Sequence, residues 1–212
     1  MKIRKIAHCC LLIETSGIKI LTDPGIYSLE SHDTISQVDM ILITHEHEDH
    51  FHINSVKALS KKIPNVKIIS NDAVGEILAQ QGVAHHMMLD SQQFDYQGIS
   101  IKAKGKLHAR IHSSINQISN VGFIIKGDKT VFIPGDAFTL PLEHIDILAL
   151  PVAGPWMKLE EAIDYAIEAN PKIAFPIHDS LRIASQHNIP KQVLSMKGIE
   201  FISLKENESI EI

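Results

Sequence analysis

Residues 42–52 read LITHEHEDHFH and place four histidines and three acidic side chains within eleven positions, behind an apolar run. Imidazole nitrogens and carboxylate oxygens are the donors that Zn²⁺ and similar divalent cations accept. His45 and His47 are two residues apart, so in an extended segment their side chains point the same way. Asp49 and His50 follow as the chain turns. The helical zinc-protease pattern, two histidines four apart with a glutamate beside the first, is absent because position 49 is Asp. A solvated His-rich loop is the plainer reading of such a string, but it predicts no partners elsewhere, and this chain carries several candidates.

The segments that must position this string alternate between strand and helix. HCCLLIE and IKILTDP are β-like and separated by the turn residues Ser16-Gly17, while VDMILIT is a continuous apolar run, as in a strand covered on both faces. After the histidines, Ile53, Val56 and Leu59 fall at helical spacing until Pro64. VKIIS reads as a strand and DAVGEILAQQG as a helix ended by Gly82. The middle, from Gln93 to Pro134, is β-rich through GISIKAKGKLH, NVGFIIKG and KTVFIPG, and His108 is placed directly at the end of the first of these strands. IDILALPV and KIAFPIHD read as strands flanking the helix KLEEAIDYAIEANP, with a further helical segment and a closing strand near IEFISL. Two sheets with helices outside would bury strands this apolar.

Composition narrows the classes. A chain of 212 residues can bury a substantial core, and a formal net charge of −5 argues against a nucleic-acid surface. Apolar runs of five to seven residues are too short to span a membrane. The start, MKIRKIAHCCLLIETSG, lacks a small-residue cleavage site and reads as a first strand, so the expected location is cytoplasmic. Cys9 and Cys10 are adjacent, cannot easily meet disulfide geometry, and read as buried small residues.

THEHEDH resembles the His-x-His-x-Asp-His signature of metallo-β-lactamase fold hydrolases. Four further landmarks stand in the family's order: LTDP at residues 21–24, GKLHARIHSS, IPGDAF and FPIHD. The branch that looks most similar groups ascorbate-6-phosphate lactonases with uncharacterised metal-dependent hydrolases, through NVGFII, PGDA and a P-W-x-K-x-x-E-A loop. The resemblance spans nearly the whole chain and implies one domain over residues 1–212. That domain would be a four-layer αββα sandwich of two mixed sheets with helices on the outer faces. It further implies one metal held by His45, His47 and a histidine of the third segment, a second held by Asp49, His50 and His178, and Asp136 bridging both. Of the two third-segment histidines, four apart, His108 is favoured over His112.

Two divalent ions about 3.5–4 Å apart can share a hydroxide of near-neutral pKa, which suits hydrolysis of an ester, lactone or phosphoester of a small molecule. The expected ions are two Zn²⁺, with Mn or Fe as alternatives. Asp49 and His112 are the candidate catalytic side chains, His112 as a substrate contact or a proton donor to the leaving group. An iron-dependent redox or sulfur-chemistry enzyme and a non-catalytic metal-binding protein are the competing readings. The expected partner is a small molecule, with no nucleic acid and no membrane, and a homo-oligomer is allowed. Lys106, Arg110 and Lys158 could receive a phosphate, although each taken singly reads as solvated charge. Asp23 reads as a supporting group, and Trp156 as a core anchor or, less favoured, a pocket wall. His52 reads as exposed, and His8, His32, His85, His86, His144 and His187 as ordinary core or surface residues.

Overall fold

Strand period divides the buried residues between two kinds of core. In the computed structural model, which describes residues 1–180 and 185–212, strand β4 (Met40–Ile43) is buried on both faces. Met40 and Leu42 point into the space between two sheets, while Ile41 and Ile43 point at helices, as a repeat of two demands. β11 (Ile147–Pro151) repeats this in the other sheet, with Ile147 and Ala149 inward and Leu148 and Leu150 towards helices. Continuous apolar runs therefore mark strands sandwiched between layers.

The first sheet runs in the order β14 (Ser209–Glu211), β1 (Lys2–Ala7), β2 (Cys10–Thr15), β3 (Ile18–Thr22), β4, β5 (Lys67–Ser70), β6 (His86–Met87). It is antiparallel as far as β3 and parallel beyond it. The β2–β3 connection is Ser16-Gly17 with φ of 49° and 80°, the two positive values that a type I′ hairpin turn needs. The second sheet runs β13 (Glu200–Phe201), β12 (Ile173–Ile177), β11, β10 (Thr130–Ile133), β9 (Gly122–Lys126), β8 (Ile99–Lys104), β7 (Gln93–Tyr96). It is likewise mixed, parallel from β13 to β10 and antiparallel from β10 to β7.

Helices cover both outer faces. After the single turn α1 (Leu29–His32), α2 (Ile53–Lys62) and α3 (Asp72–Gln80) lay Val56, Leu59, Val74 and Leu78 on the first sheet. α4 (Leu159–Ala169) and α5 (Ser185–Ser195) lay Ala162, Ile163, Ala166 and Leu194 on the second. The Asn71 side chain accepts from the Val74 amide at the start of α3, and Asn170 ends α4 in the left-handed conformation just before Pro171. The fold is the αββα sandwich. Among the described residues no helix is long and apolar enough to cross a membrane.

The short strands β6 and β14 and the turn α1 carry too few residues for a periodic signal, whereas β7 falls within the β-rich middle that begins at Gln93. One expectation is corrected. β8 ends at Lys104, so His108 does not come directly off it; a turn at Gly105 (φ +93°) intervenes, and the Leu107–Ser119 bridge holds the segment.

Candidate metal centre

Loops that leave β3, β4, β8, β10 and β12 converge at one edge of the sandwich. Asp23 follows β3, the string His45–His50 follows β4, His108 lies beyond β8, Asp136 follows β10 and His178 follows β12. The β4 loop is packed against its neighbour without slack: Ile26 N–H donates to Glu48 O at 2.8 Å and His52 N–H to Pro24 O at 3.0 Å. Gly135 adopts φ +66°, and an added Cβ would stand 2.3 Å from Asn120 Oδ1, so only glycine lets Asp136 start there.

Two groups of four donors result, and Cys9 forms a smaller third with His50 and Asp136. The donor atoms of His45, His47, His108 and Asp136 lie within 4.8 Å of one another, as do those of His8, Asp49, His50 and His178. Asp136 stands between the groups. Its Oδ2 is 3.0 Å from His178 Nε2 and 3.4 Å from His108 Nε2, and its Oδ1 is 3.1 Å from His50 Nε2. The Asp49 Oδ2 atom lies 3.3 Å from His178 Nε2 and 3.8 Å from His50 Nε2.

The outer ring nitrogens explain which way these histidines face. Thr44 Oγ1 donates to Asp23 Oδ2 at 2.9 Å, so it is free to accept from His45 Nδ1 at 3.0 Å. His50 Nδ1 donates to Asp23 Oδ2 at 2.8 Å, and His108 Nδ1 donates to the Ala109 carbonyl at 2.5 Å. With the proton on Nδ1, a neutral ring presents a lone pair at Nε2. His50 Nε2, His108 Nε2 and Asp136 Oδ1 are buried and have no hydrogen-bond partner, although His50 Nε2 and Asp136 Oδ1 are close. Buried acceptors aimed at one another without a hydrogen between them are the arrangement a cation would satisfy. The residues present fit a pair of divalent ions.

Charge in the cluster is divided unevenly. Burial opposes ionisation of Asp136, yet His50, His108 and His178 hold its carboxyl well below the usual range. Burial also opposes a cation on His178, but hydrogen bonds to Asp136 and Asp49 carry its pKa up to about 9. His50 is raised well above its ordinary value, with Cys9, Asp136 and Asp23 outweighing burial. In the first group burial, then the neighbouring imidazoles, keep His45 and His47 below the ordinary value and hence neutral. Carboxylates and the Cys9 thiol thus draw positive charge into the second group, which is the part a cation would play there.

The structure brings together His45, His47, Asp49, His50, His108, Asp136 and His178. His112 is in neither donor group: it is exposed, and its Nδ1 is 2.7 Å from Ser114 Oγ. Asp23 supports the centre through Thr44 and His50, and His52 is half-buried with Nδ1 on Ser55 Oγ at 2.8 Å. Cys9 and Cys10 are buried free thiols, each pushed up to about 12 by burial.

Two functional positions lie outside the sequence reading. His8 is only 4% exposed, and its Nε2 is 3.2 Å from Asp49 Oδ2. Its one available signal was a polar ring at the end of a strand of the inner sheet. Trp156 is buried against Phe138, as a core anchor is, and it also reaches the centre: its Nε1–H donates to Asp136 Oδ2 at 2.9 Å, and its ring centroid lies 5.8 Å from that of His108. A tryptophan in a Pro-rich loop carries no sequence sign of such a bond.

Comparison with known proteins points the same way. A Mycobacterium tuberculosis protein, Rv0786c, is 32% identical over 184 residues, which cover 85% of each chain. The UPF0173 metal-dependent hydrolase NEQ378 of Nanoarchaeum equitans is 29% identical over the full length of both chains. Among solved structures, Igni18, a metallo hydrolase from the hyperthermophilic archaeon Ignicoccus hospitalis, matches with a TM-score of 0.81 at 24% identity, over 100% of this chain and 98% of that one. The beta-lactamase superfamily domain matches residues 2–178, from the first strand to the last donor histidine, and the chain belongs to that superfamily.

Proposed function

We propose that the protein is a metal-dependent hydrolase that uses two divalent cations, zinc or manganese, to cleave an ester, lactone or phosphoester of a small molecule. The observation that carries this reading is Asp136, buried between two groups of inward-facing donors, with Oδ1 towards His50 of the second group and Oδ2 within reach of both His178 of the second and His108 of the first. When bound, such a pair supplies Lewis acidity and brings the pKa of water towards neutrality.

His45, His47 and His108 would hold one cation, Asp49, His50 and His178 the other, and Asp136 both. The carboxylate of Asp136 offsets part of the repulsion between two cations, and the Trp156 N–H fixes which way its Oδ2 faces. Asp23 and Thr44 hold His45 and His50 in the tautomer that directs Nε2 inward. His45 and His50 are fully buried, whereas the Asp49 side chain is 24% exposed and His47 is half-buried, so a substrate approaches past those two.

A cavity of about 60 Å³ lies beside His47 and His108, lined in part by Ile111, Ile115 and Ile118. Its apolar wall suits a short carbon chain next to the scissile bond. Arg110 is bonded to Gln117 Oε1 at 3.2 Å on the exposed side of the same loop.

Elemental analysis of protein purified without added metal, with Asp136→Ala beside the wild type, tests the reading. Near two equivalents of Zn or Mn, falling in the variant, is the expected result and directs a screen of esters, lactones and phosphoesters. Iron with a visible absorption band would replace it with the redox reading. Absence of bound metal after reconstitution would overturn it.

A further inference from the structure

His8 belongs to none of the five signature segments, yet it is buried against the second donor group. It sits in the turn between β1 and β2 with φ +49°, a left-handed conformation that a non-glycine residue adopts at a cost. Something must hold it there, and four residues do. Ser180, two residues beyond His178, directs its backbone N–H at His8 Nδ1 (3.4 Å) and places its hydroxyl 2.9 Å from the same atom. The His8 ring centroid lies 4.2 Å from that of His178 and 4.7 Å from that of Tyr27, which confines the imidazole on both sides. Its Nε2 meets Asp49 Oδ2 at 3.2 Å.

The tautomer follows from Ser180. A backbone N–H can only donate, so Nδ1 accepts, and the neutral ring carries its hydrogen on Nε2. A nitrogen that bears a hydrogen has no lone pair to offer a cation, but it can donate to a carboxylate. His50 and His108 show the opposite arrangement, with Nδ1 donating and Nε2 bare. Asp49 needs such a clamp because it is the more exposed carboxylate of the centre, with 24% of its side chain open to solvent against 2% for Asp136.

We propose that His8 is a positioning residue of the second metal subsite: held by Ser180, it donates Nε2–H to Asp49 and keeps that carboxylate turned towards His50 and His178. The inference rests on the two-metal reading above. It also ties the β1–β2 turn of one sheet to the loop beyond β12 of the other, so Asp49 and His178 are set by a single side chain.

The alternative is that His8 is itself a ligand, since its Nε2 lies within 4.8 Å of the other three donors. Co²⁺ binding to wild type, His8→Ala and His8→Gln separates the two. Binding is read by competition with a chromophoric chelator and by the visible spectrum at saturation. His8→Ala should still take two equivalents, the first unchanged and the second about 10–100-fold weaker, with the saturated spectrum of the wild type. His8→Gln, whose amide can donate to Asp49, should recover most of that loss. If circular dichroism shows the alanine variant to be unfolded, His8→Asn replaces it, because Asn tolerates the left-handed backbone but is too short to reach Asp49.

A variant that binds one equivalent only, or whose saturated spectrum differs, would overturn the proposal in favour of ligation. Wild-type affinity for both equivalents in His8→Ala would overturn it outright, with the two-metal reading intact. A wild-type protein that fails to bind two equivalents would overturn both.

Discussion

Gly25→Ala should damage the centre without touching a donor. Gly25 has φ −93°, which any residue can adopt, so its glycine is there for room rather than for conformation. An added Cβ would stand 2.0 Å from the Asp49 carbonyl oxygen, 2.1 Å from its carbon and 2.6 Å from the His50 amide nitrogen. Contacts below 3.0 Å are not sustained, and these neighbours are backbone, so the β4 loop must move by about 1 Å or more. That loop cannot move freely, since the His50 and Phe51 amides are both bonded to His47 O and Ile26 N–H to Glu48 O. Overpacking of this kind costs about 1–3 kcal/mol, or roughly 2–12 °C in Tm for a chain of this size. A displacement of about 1 Å in a reactive constellation costs on the order of 100-fold in rate. Thermal melts measure the first effect, turnover of a hydrolysed ester the second, and a Zn²⁺ titration against a chelator shows whether the moved loop still holds its metal. Gly17→Ala is the control: its φ of +80° strains a side chain, but no atom lies within 4 Å of the added Cβ, so metal binding should be unchanged. Gly25→Ala with wild-type Tm and wild-type affinity for both equivalents would refute the close approach on which this reasoning stands.

Trp156→Phe keeps a ring against Phe138 but removes the N–H on Asp136 Oδ2; it should weaken Zn²⁺ binding by about 10–100-fold with Tm nearly unchanged, and chelator competition checks it. Lys5 is fully buried with Nζ 2.5 Å from Asp179 Oδ1 and 2.8 Å from the Pro176 carbonyl, so Lys5→Met removes the cation from a buried carboxylate whose other oxygen stays on His187 Nε2. The expected loss is about 3–5 kcal/mol in urea unfolding, and Lys5→Met with Asp179→Asn should lose less than Lys5→Met alone; equal losses would contradict the pairing. Burial lowers the His32 pKa to about 4, against about 6.5 unfolded. Its contribution is then complete above pH 6.5 and lost as pH falls towards 4, so wild type should lose stability relative to His32→Gln across that window, by up to about 1.4 kcal/mol per pH unit. Parallel urea midpoints for the two proteins between pH 7 and pH 4 would contradict it.

The elements and the donors differ in how far they could be read from the chain. VDMILIT, IDILALPV and KIAFPIHD are strands covered on both faces, and a run of apolar residues is a local property. The string from His45 to His50 is likewise contiguous, so its chemistry is visible before any folding is known. The same holds for His178, which follows an apolar strand directly, and for Asp136, which follows one after the turn Pro134-Gly135.

The remaining features depend on distance along the chain. His108 and His112 share one short segment, and the bridge from Leu107 to Ser119, with His108 N–H on Ile118 O, decides which of them faces inward. His8 meets Ser180 across 172 positions, Lys5 meets Asp179 across 174, and Trp156 meets Asp136 across 20. Sequence by itself determined the periodic layers and the donors that sit together in one loop or at the end of an apolar strand, because hydrophobic spacing and ligand type act over a few residues. Only the tertiary structure decided the tautomers, the clamp on Asp49 and the bond to Asp136. Those depend on which loops the two packed sheets bring to the same edge.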